Sequence, residues 1–452
     1  MNRLKFIILY FIVAISTNLF AAEDVLTLKE AIDIALDNSN TYAIAIEKVN
    51  QSRLAVKETW GMLWPSFSTD VSYSKYGWDE GNFANIDSMY NVSFVNAQIT
   101  INPGVFYNSL QATRKAHIIS ETDVRTVKLN TTIQTIKLYY QLLLASESIK
   151  LREESAKALE ENLKVVTVGY NKGTFSKLDY LNAKVSLSNE RTQLINAKNN
   201  YLSSRASLNI YLGREINSEI YLPELTQIEF TQDEINVISI SEQNEDKYLG
   251  ELISESLKNR PELIQLQAKK DSQEYSVKIS ESSYLYPTLI LSGSYGASKM
   301  EPKESTAFST TPEGWYNGWS VTLGASYNWG SLAPVSSTSA KVKQSRSQVQ
   351  QTKYEIEDFI KNVKLDVQYG FLKLKSTYNS IKSQEGNIET AEESLKVSIT
   401  QFRNGIIDNT KLLNANVQLT TAKTLYIQAL HDYQVAKAEL NKSVGKDIFI
   451  IE

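Results

Sequence analysis

Apolar positions along this chain recur with two periods. Leu142, Ile149, Ala156, Leu163 and Tyr170 return every seven residues, with Ala145, Leu159 and Val166 three places on, which is the seam of a coiled coil. Prolines stand at 65, 103, 223, 261, 287, 302, 312 and 334, so 104–222 and 335–452 contain none. Proline and glycine break helices most strongly, and these stretches predict long helices at about 105–170, 176–212, 335–402 and 408–444. From Ala112 to Tyr170 alone, a helix would run about 90 Å.

The second half repeats the first. An offset of 232 carries the seam onto Leu374, Ile381, Ile388, Leu395 and Phe402. Glu160-Glu161-Asn162-Leu163-Lys164-Val165 then faces Glu392-Glu393-Ser394-Leu395-Lys396-Val397, and Gly173 meets Gly405. A tandem duplication is the economical reading, with repeats at 23–215 and 250–447 around an acidic connector at 216–249 and a tail at 448–452.

The other period is two. Trp319, Val321, Leu323, Ala325, Tyr327 and Trp329 alternate with Ser320, Thr322, Gly324, Ser326 and Asn328, and similar alternation follows Pro65, Ser93 and Pro287. Strands are predicted at about 66–76, 92–102, 288–298 and 319–329, joined in pairs by loops 77–91 and 299–318. Each has about the length a tilted strand needs to cross a bilayer. All six tryptophans, including Trp60, Trp64, Trp78, Trp315, Trp319 and Trp329, fall in or beside these regions, as interfacial aromatics do. The opposite faces are serine, threonine, glycine and asparagine, which suits a water-filled lumen. Two soluble hairpins packed on a core are the alternative.

Four strands cannot close a barrel, and an open edge in lipid leaves N–H and C=O groups unpaired. Membrane strands therefore require an oligomer sharing one barrel, and both a dimer of eight strands and a trimer of twelve satisfy the count. Residues 1–22 fit an export signal: Arg3 and Lys5, an apolar run from Phe6 to Ile15, then Ala21-Ala22. Export together with a membrane barrel points to the outer membrane of a diderm bacterium.

This ordered set resembles the TolC-like outer-membrane efflux protein family. The set comprises the signal, the doubled helix–strand–strand–helix pattern, Leu257-x-Asn259-x-Pro261, proline at each strand entry and glycine at each hairpin tip. The resemblance implies a mainly α chain with membrane β: a homotrimer with a twelve-stranded transmembrane β-barrel, four strands per chain, continued by a long α-helical coiled-coil barrel across the periplasm. It implies a passive exit duct of a tripartite efflux or type I secretion system for drugs, small molecules or proteins. The expected partners are a periplasmic adaptor, an inner-membrane transporter and outer-membrane lipid. A periplasmic coiled-coil adaptor or structural envelope protein is the alternative.

Function is expected to concentrate at the tips. Tyr170-Asn171-Lys172-Gly173 and Phe402-Arg403-Asn404-Gly405 end the outgoing helices, while Ser176–Asp179 and Asp408 start the return helices. The resemblance makes Asp179 an acidic gate residue, although Lys411 and Asn414 stand where the family's paired gate aspartates would be. Asp179 with Lys411 or Arg403 is expected to hold the mouth shut. Asp179 equally fits a capping box. Trp64, Trp78, Trp315, Trp319, Tyr327 and Trp329 are the expected membrane-interface aromatics.

Composition narrows the remaining classes. Zero cysteines and only two histidines, His117 and His431, remove disulfides, thiolate metal sites and most acid–base triads. A net charge of -4 offers nucleic acid no basic footprint. No phosphate-binding loop, HExxH or GxSxG occurs. The expectation is a protein that is not an enzyme, with no cofactor and no metal. The cargo and the cognate pump are not legible.

Overall fold

The computed structural model describes residues 25–76, 86–223, Ile235, 242–302 and 314–446. The expected export segment, Trp78, half of the acidic connector and the tail 448–452 lie outside them. Helix α1 (Leu28–Asn38) starts on a capping box, with Thr27 Oγ1 accepting from Glu30 N and Glu30 Oε2 accepting from Thr27 N. Helix α2 (Asn40–Gly61) leads to β1 (Ser66–Lys75) and β2 (Ile86–Ile101), followed by α3 (Pro103–Asn171) and α4 (Lys177–Tyr211). Then come α5 (Glu242–Asn259), α6 (Pro261–Leu285), β3 (Thr288–Pro302), β4 (Trp315–Ser326), α7 (Ser337–Arg403) and α8 (Asn409–Val444). The proline-free stretches do form long helices: α3 has 69 residues and α7 has 67. At 1.5 Å per residue each is about 100 Å long.

Internal contacts divide the chain into two units. The first holds residues up to 43, 126–260 and from 361 onward. One of its cores packs Leu28, Ala31 and Ala35 of α1 on Ile136, Tyr139, Leu142 and Leu143 of α3 and Leu208 of α4. Tyr139 Oη donates to Leu26 O at 2.9 Å, and burial, helped by the Glu30 charge, pushes its pKa up to about 12. A second core joins Leu252 of α5 to Phe371, Leu374 and Ile381 of α7 and Tyr433 and Leu440 of α8. Leu142, Leu159, Val166, Leu374, Ile381 and Phe402 of the predicted seams are buried, whereas Tyr170 is exposed at the hairpin end. Glu439 of α8 ties α3 to α7, accepting from Lys137 at 2.6 Å and Lys373 at 2.9 Å. Burial works to raise the Glu439 pKa, but the two lysines outweigh it and hold the carboxyl below its usual range.

The second unit holds residues 44–125 and 261–360. Its helices approach through small and polar groups: Ala45, Thr59, Ala268, Ser280 and Ser282 are buried. Lys115–Asp271 and Arg346–Glu281 pair across helices at 2.9 and 2.7 Å. Here also lies the sheet, fully antiparallel in the order β1-β2-β3-β4, so that β1 and β4 are its two edges.

Strand bounds depart from the expected ones in three places. β2 starts at Ile86 rather than 92 because Phe94 is an extra residue between the pairs Ser93–Gly296 and Val95–Tyr295, and this bulge breaks the period-two signal. β3 runs on to Pro302, where Lys299 and Glu301 pair at 2.8 Å and obscure the apolar alternation. The loops are correspondingly shorter than 77–91 and 299–318. β4 covers Trp315–Ser326 instead of 319–329, because β3 begins at Thr288 after Pro287 and offers Tyr327 no partner. Tyr327 and Trp329 therefore lie beyond the strand, Trp329 opening a 3₁₀ turn. α5 begins at Glu242, so the end of the expected connector is helical.

The bulge also explains a glycine. A Cβ at Gly296 would meet Val92 O at 2.5 Å, whereas at Gly293 the nearest atom is 3.8 Å away. Gly296→Ala is expected to cost about 1–3 kcal/mol, the range for forced overpacking. Gly293→Ala should be nearly silent; heat-modifiable mobility on denaturing gels compares the two. The Glu439 tie has a pH sign as well. With a folded pKa depressed from 4.5, its stabilisation is complete above 4.5 and is lost as pH falls through the lower folded value. Glu439→Gln should thus destabilise the protein by about 1 kcal/mol at neutral pH for so exposed a pair, read as a lower thermal midpoint, and the difference should shrink as pH falls through the folded value of Glu439.

Candidate functional site

Two regions carry the expected site residues: the sheet and the hairpin tips. On the sheet, register places Phe67, Ala97, Gly293 and Val321 in one row, Ile99, Leu291 and Leu323 in the next, and Val95, Tyr295 and Trp319 in a third on the same face. Among the described residues nothing covers this face: Trp319 is 78% exposed, Leu323 80% and Val71 75%. The opposite face presents Ser66, Ser68, Ser72, Asn96, Gln98, Ser292, Ser294, Ser298, Ser320 and Thr322, with Ser294 and Ser320 hydroxyls 2.9 Å apart.

Aromatic groups bound the apolar band. At the hairpin-loop end Tyr73, Tyr90, Lys299 and Trp315 share a row; the Tyr73–Tyr90 centroids are 4.8 Å apart and Lys299 Nζ lies 5.9 Å from the Tyr90 ring. At the helix end, Trp60 meets Phe106 edge-on at 5.6 Å, Tyr327 meets Trp329 at 4.7 Å, and Trp64 is exposed. From the Leu289 row to the Lys299 row is about 33 Å along the strand at 3.3 Å per residue. Tilted by about 40°, that becomes about 25 Å, the height of a membrane barrel's apolar band.

The tips belong to the first unit. Gly173 (φ 76°) and Gly405 (φ 72°) adopt the left-handed turn that ends α3 and α7. Asp179 forms a capping box: its carboxylate accepts from Ser176 N at 3.1 Å and Ser176 Oγ at 2.6 Å, while its own N–H donates to Ser176 Oγ at 3.1 Å. Asp408 caps α8 by accepting from Lys411 N at 2.9 Å. Asp179 and Lys411 are thus equivalent positions of the two return helices, with opposite charge. Within the chain no ion pair joins Asp179 to Lys411 or Arg403 among the described residues, and Lys411, Asn414 and Arg403 all face outward.

Neutral groups join the two hairpins instead. Asn409, 1% exposed, accepts from Asn162 Nδ2 at 2.9 Å and reaches Asp179 O at 3.5 Å. The Phe175 and Phe402 rings stack at 5.2 Å, and Val166, Ala183, Phe402 and Leu412 form a small core. Val166 and Phe402 lie on the expected seams, but sequence reasoning missed the joining roles of Asn162, Phe175 and Asn409. The available signal was departure from the repeat, since the equivalents of Asn162 and Asn409 are Ser394 and Lys177. Among the described residues no group of three or more His, Asp or Glu could hold a metal ion, and no helix is long and apolar enough to cross a membrane.

Comparison with known proteins agrees with this geometry. The sequence profile described as "Outer membrane efflux protein" matches residues 31–214 and again 252–446. The outer membrane protein TolC of Escherichia coli is 21% identical over 415 residues, 89% of this chain and 77% of that protein. The alkaline protease secretion protein AprF of Pseudomonas aeruginosa is 20% identical over 328 residues, 73% of this chain and 64% of that protein. The crystal structure of the outer membrane protein VceC of Vibrio cholerae shares the fold, with a TM-score of 0.76 at 12% identity over 93% of this chain and 96% of that one.

Asn409→Ala is expected to strand the buried Asn162 amide, costing about 1–3 kcal/mol. Hydrogen exchange should then rise in 162–183 and 405–413 and stay unchanged around Leu252 and Phe371.

Proposed function

The chain belongs to the outer membrane efflux protein family, and from that premise we propose that it is the passive exit duct of a tripartite efflux or type I secretion system. It is an outer-membrane channel and not an enzyme. In the proposed assembly three copies share a twelve-stranded barrel and their long helices continue it into the periplasm. Each chain is a tandem repeat, a reading supported by the two separate matches to one profile. A periplasmic adaptor and an inner-membrane transporter complete the path, and the transporter supplies the energy.

The observation that carries this reading is the sheet with two open edges, one apolar face and one hydroxyl-rich face. An adaptor or tether would have no use for an uncovered apolar band about 25 Å tall between aromatic girdles. Purified in detergent and added to a planar bilayer, the protein should give discrete conductance steps. A detergent-free, soluble and non-conducting protein would favour the adaptor.

At the tips, Asp179, Lys411 and Arg403 have no ion-pair partner among the described residues, and the proposal is that they pair between neighbouring copies to close the periplasmic mouth. Symmetry brings several copies of each charge into one ring, within reach of a Debye length of about 8 Å. Lys411→Glu should raise single-channel conductance and shift selectivity toward cations. Unchanged conductance and reversal potential would remove Lys411 from the gate.

A further inference from the structure

The two passages from strand to long helix differ. β2 enters α3 through one residue, Asn102, whose side chain accepts from Val105 N at 3.1 Å and donates to Tyr286 O at 2.8 Å. β4 enters α7 through ten residues, 327–336, which hold a 3₁₀ turn and Pro334. This connector has no counterpart in the first half. Its two conspicuous side chains are uncovered: Trp329 is 74% exposed and Val335 95%.

The connector continues the apolar face of the sheet. Tyr327 keeps the parity of Trp319, Leu323 and Ala325, and its hydroxyl donates to Tyr284 O at 2.5 Å, leaving the ring edge against Trp329. Charge is also absent throughout. No Asp, Glu, Lys, Arg or His occurs from Gly314 to Ala340, and the same holds for 59–69, 88–113 and 282–298. All four runs overshoot the strands into helix. The first charges met below the sheet are Glu58, Arg114, Glu281 and Lys341, the last followed by Arg346, which pairs with Glu281 at 2.7 Å. A surface turned to water has no reason to omit charge over so long a stretch, whereas a charge held among acyl chains costs several kcal/mol. The exposed collar at this level is Met62, Leu63, Trp64, Tyr107, Leu285 and Tyr286.

We propose that the 327–336 connector is a lipid anchor that seats Trp329 and Val335 at the headgroup–acyl boundary of the periplasmic leaflet. The ligand class is a glycerophospholipid. Trp329 supplies the amphipathic interfacial ring, with its N–H left wet, and Val335 the buried aliphatic group. The protein is thereby held at a depth that puts the first turns of α3 and α7 inside the leaflet.

The proposal rests on the membrane reading of the sheet, and one experiment separates them. In the cysteine-free chain, nitroxide labels are placed singly at Val335→Cys, Val321→Cys on the apolar face of β4, and Lys353→Cys on α7. The full protein is reconstituted into phosphatidylcholine nanodiscs. Collision rates with oxygen and with a water-soluble nickel chelate are then compared. Positions 321 and 335 should both favour oxygen severalfold over the chelate, and 353 should favour the chelate. If 321 is in lipid while 335 behaves like 353, the anchor is wrong and the membrane sheet stands. Shielding of 335 from both reagents means the connector packs against protein, which also overturns the anchor. If 321 itself favours the chelate, the membrane reading fails first.

Discussion

A β-strand in hydrocarbon must have every backbone N–H and C=O bonded to another strand, because nothing else there can accept or donate. Among the described residues the chain supplies four strands, in the order β1-β2-β3-β4, and both edges are left open. Its apolar face matches hydrocarbon in height and its other face offers hydroxyls. The cost of an open edge in lipid, several kcal/mol per unpaired group, exceeds what any local adjustment of one sheet recovers. The proposed completion by further copies answers that imbalance, and in such an assembly the long helices would inherit the symmetry of the barrel.

The hairpin tips divide their labour differently. Within a chain, the two hairpins are joined by the Asn162–Asn409 bond, the Phe175–Phe402 stack and a small aliphatic core. Charged groups are kept out of that joint and turned outward, with Asp179 spending its carboxylate on its own helix start. Such an arrangement separates the contacts that join one hairpin pair from the charges proposed to close the mouth. Neutral buried contacts make the joint, and the charges stay exposed.

Much of the fold was legible because its signals are long. Proline-free stretches and a seven-residue seam are hard to mimic, and α3 and α7 came out within a few residues of their expected bounds. Strand ends were read less well for particular reasons. The extra residue at Phe94 reverses the parity on which alternation depends, and the Lys299–Glu301 pair hides a strand end behind charge. The alternation of Tyr327 and Trp329 was real but continued past the last available partner. At the tips, residue types identified the caps and the left-handed turns, whereas Asn409 was invisible as a pattern. Its role arises only when α3 and α8 meet, through residues distant in sequence.

Disulfide trapping in intact cells tests the shared barrel most directly, since the chain has no cysteine of its own. One cysteine is placed on the open edge of β1, at Ser72, and a second at successive positions of β4 from Trp319 to Leu323. Oxidation of outer membranes followed by denaturing electrophoresis should give bands of two and three covalently joined chains for the positions that fall in register, and nothing larger. A ladder stopping at two chains would contradict the trimer. Monomers at every position would contradict completion of the sheet by sister copies.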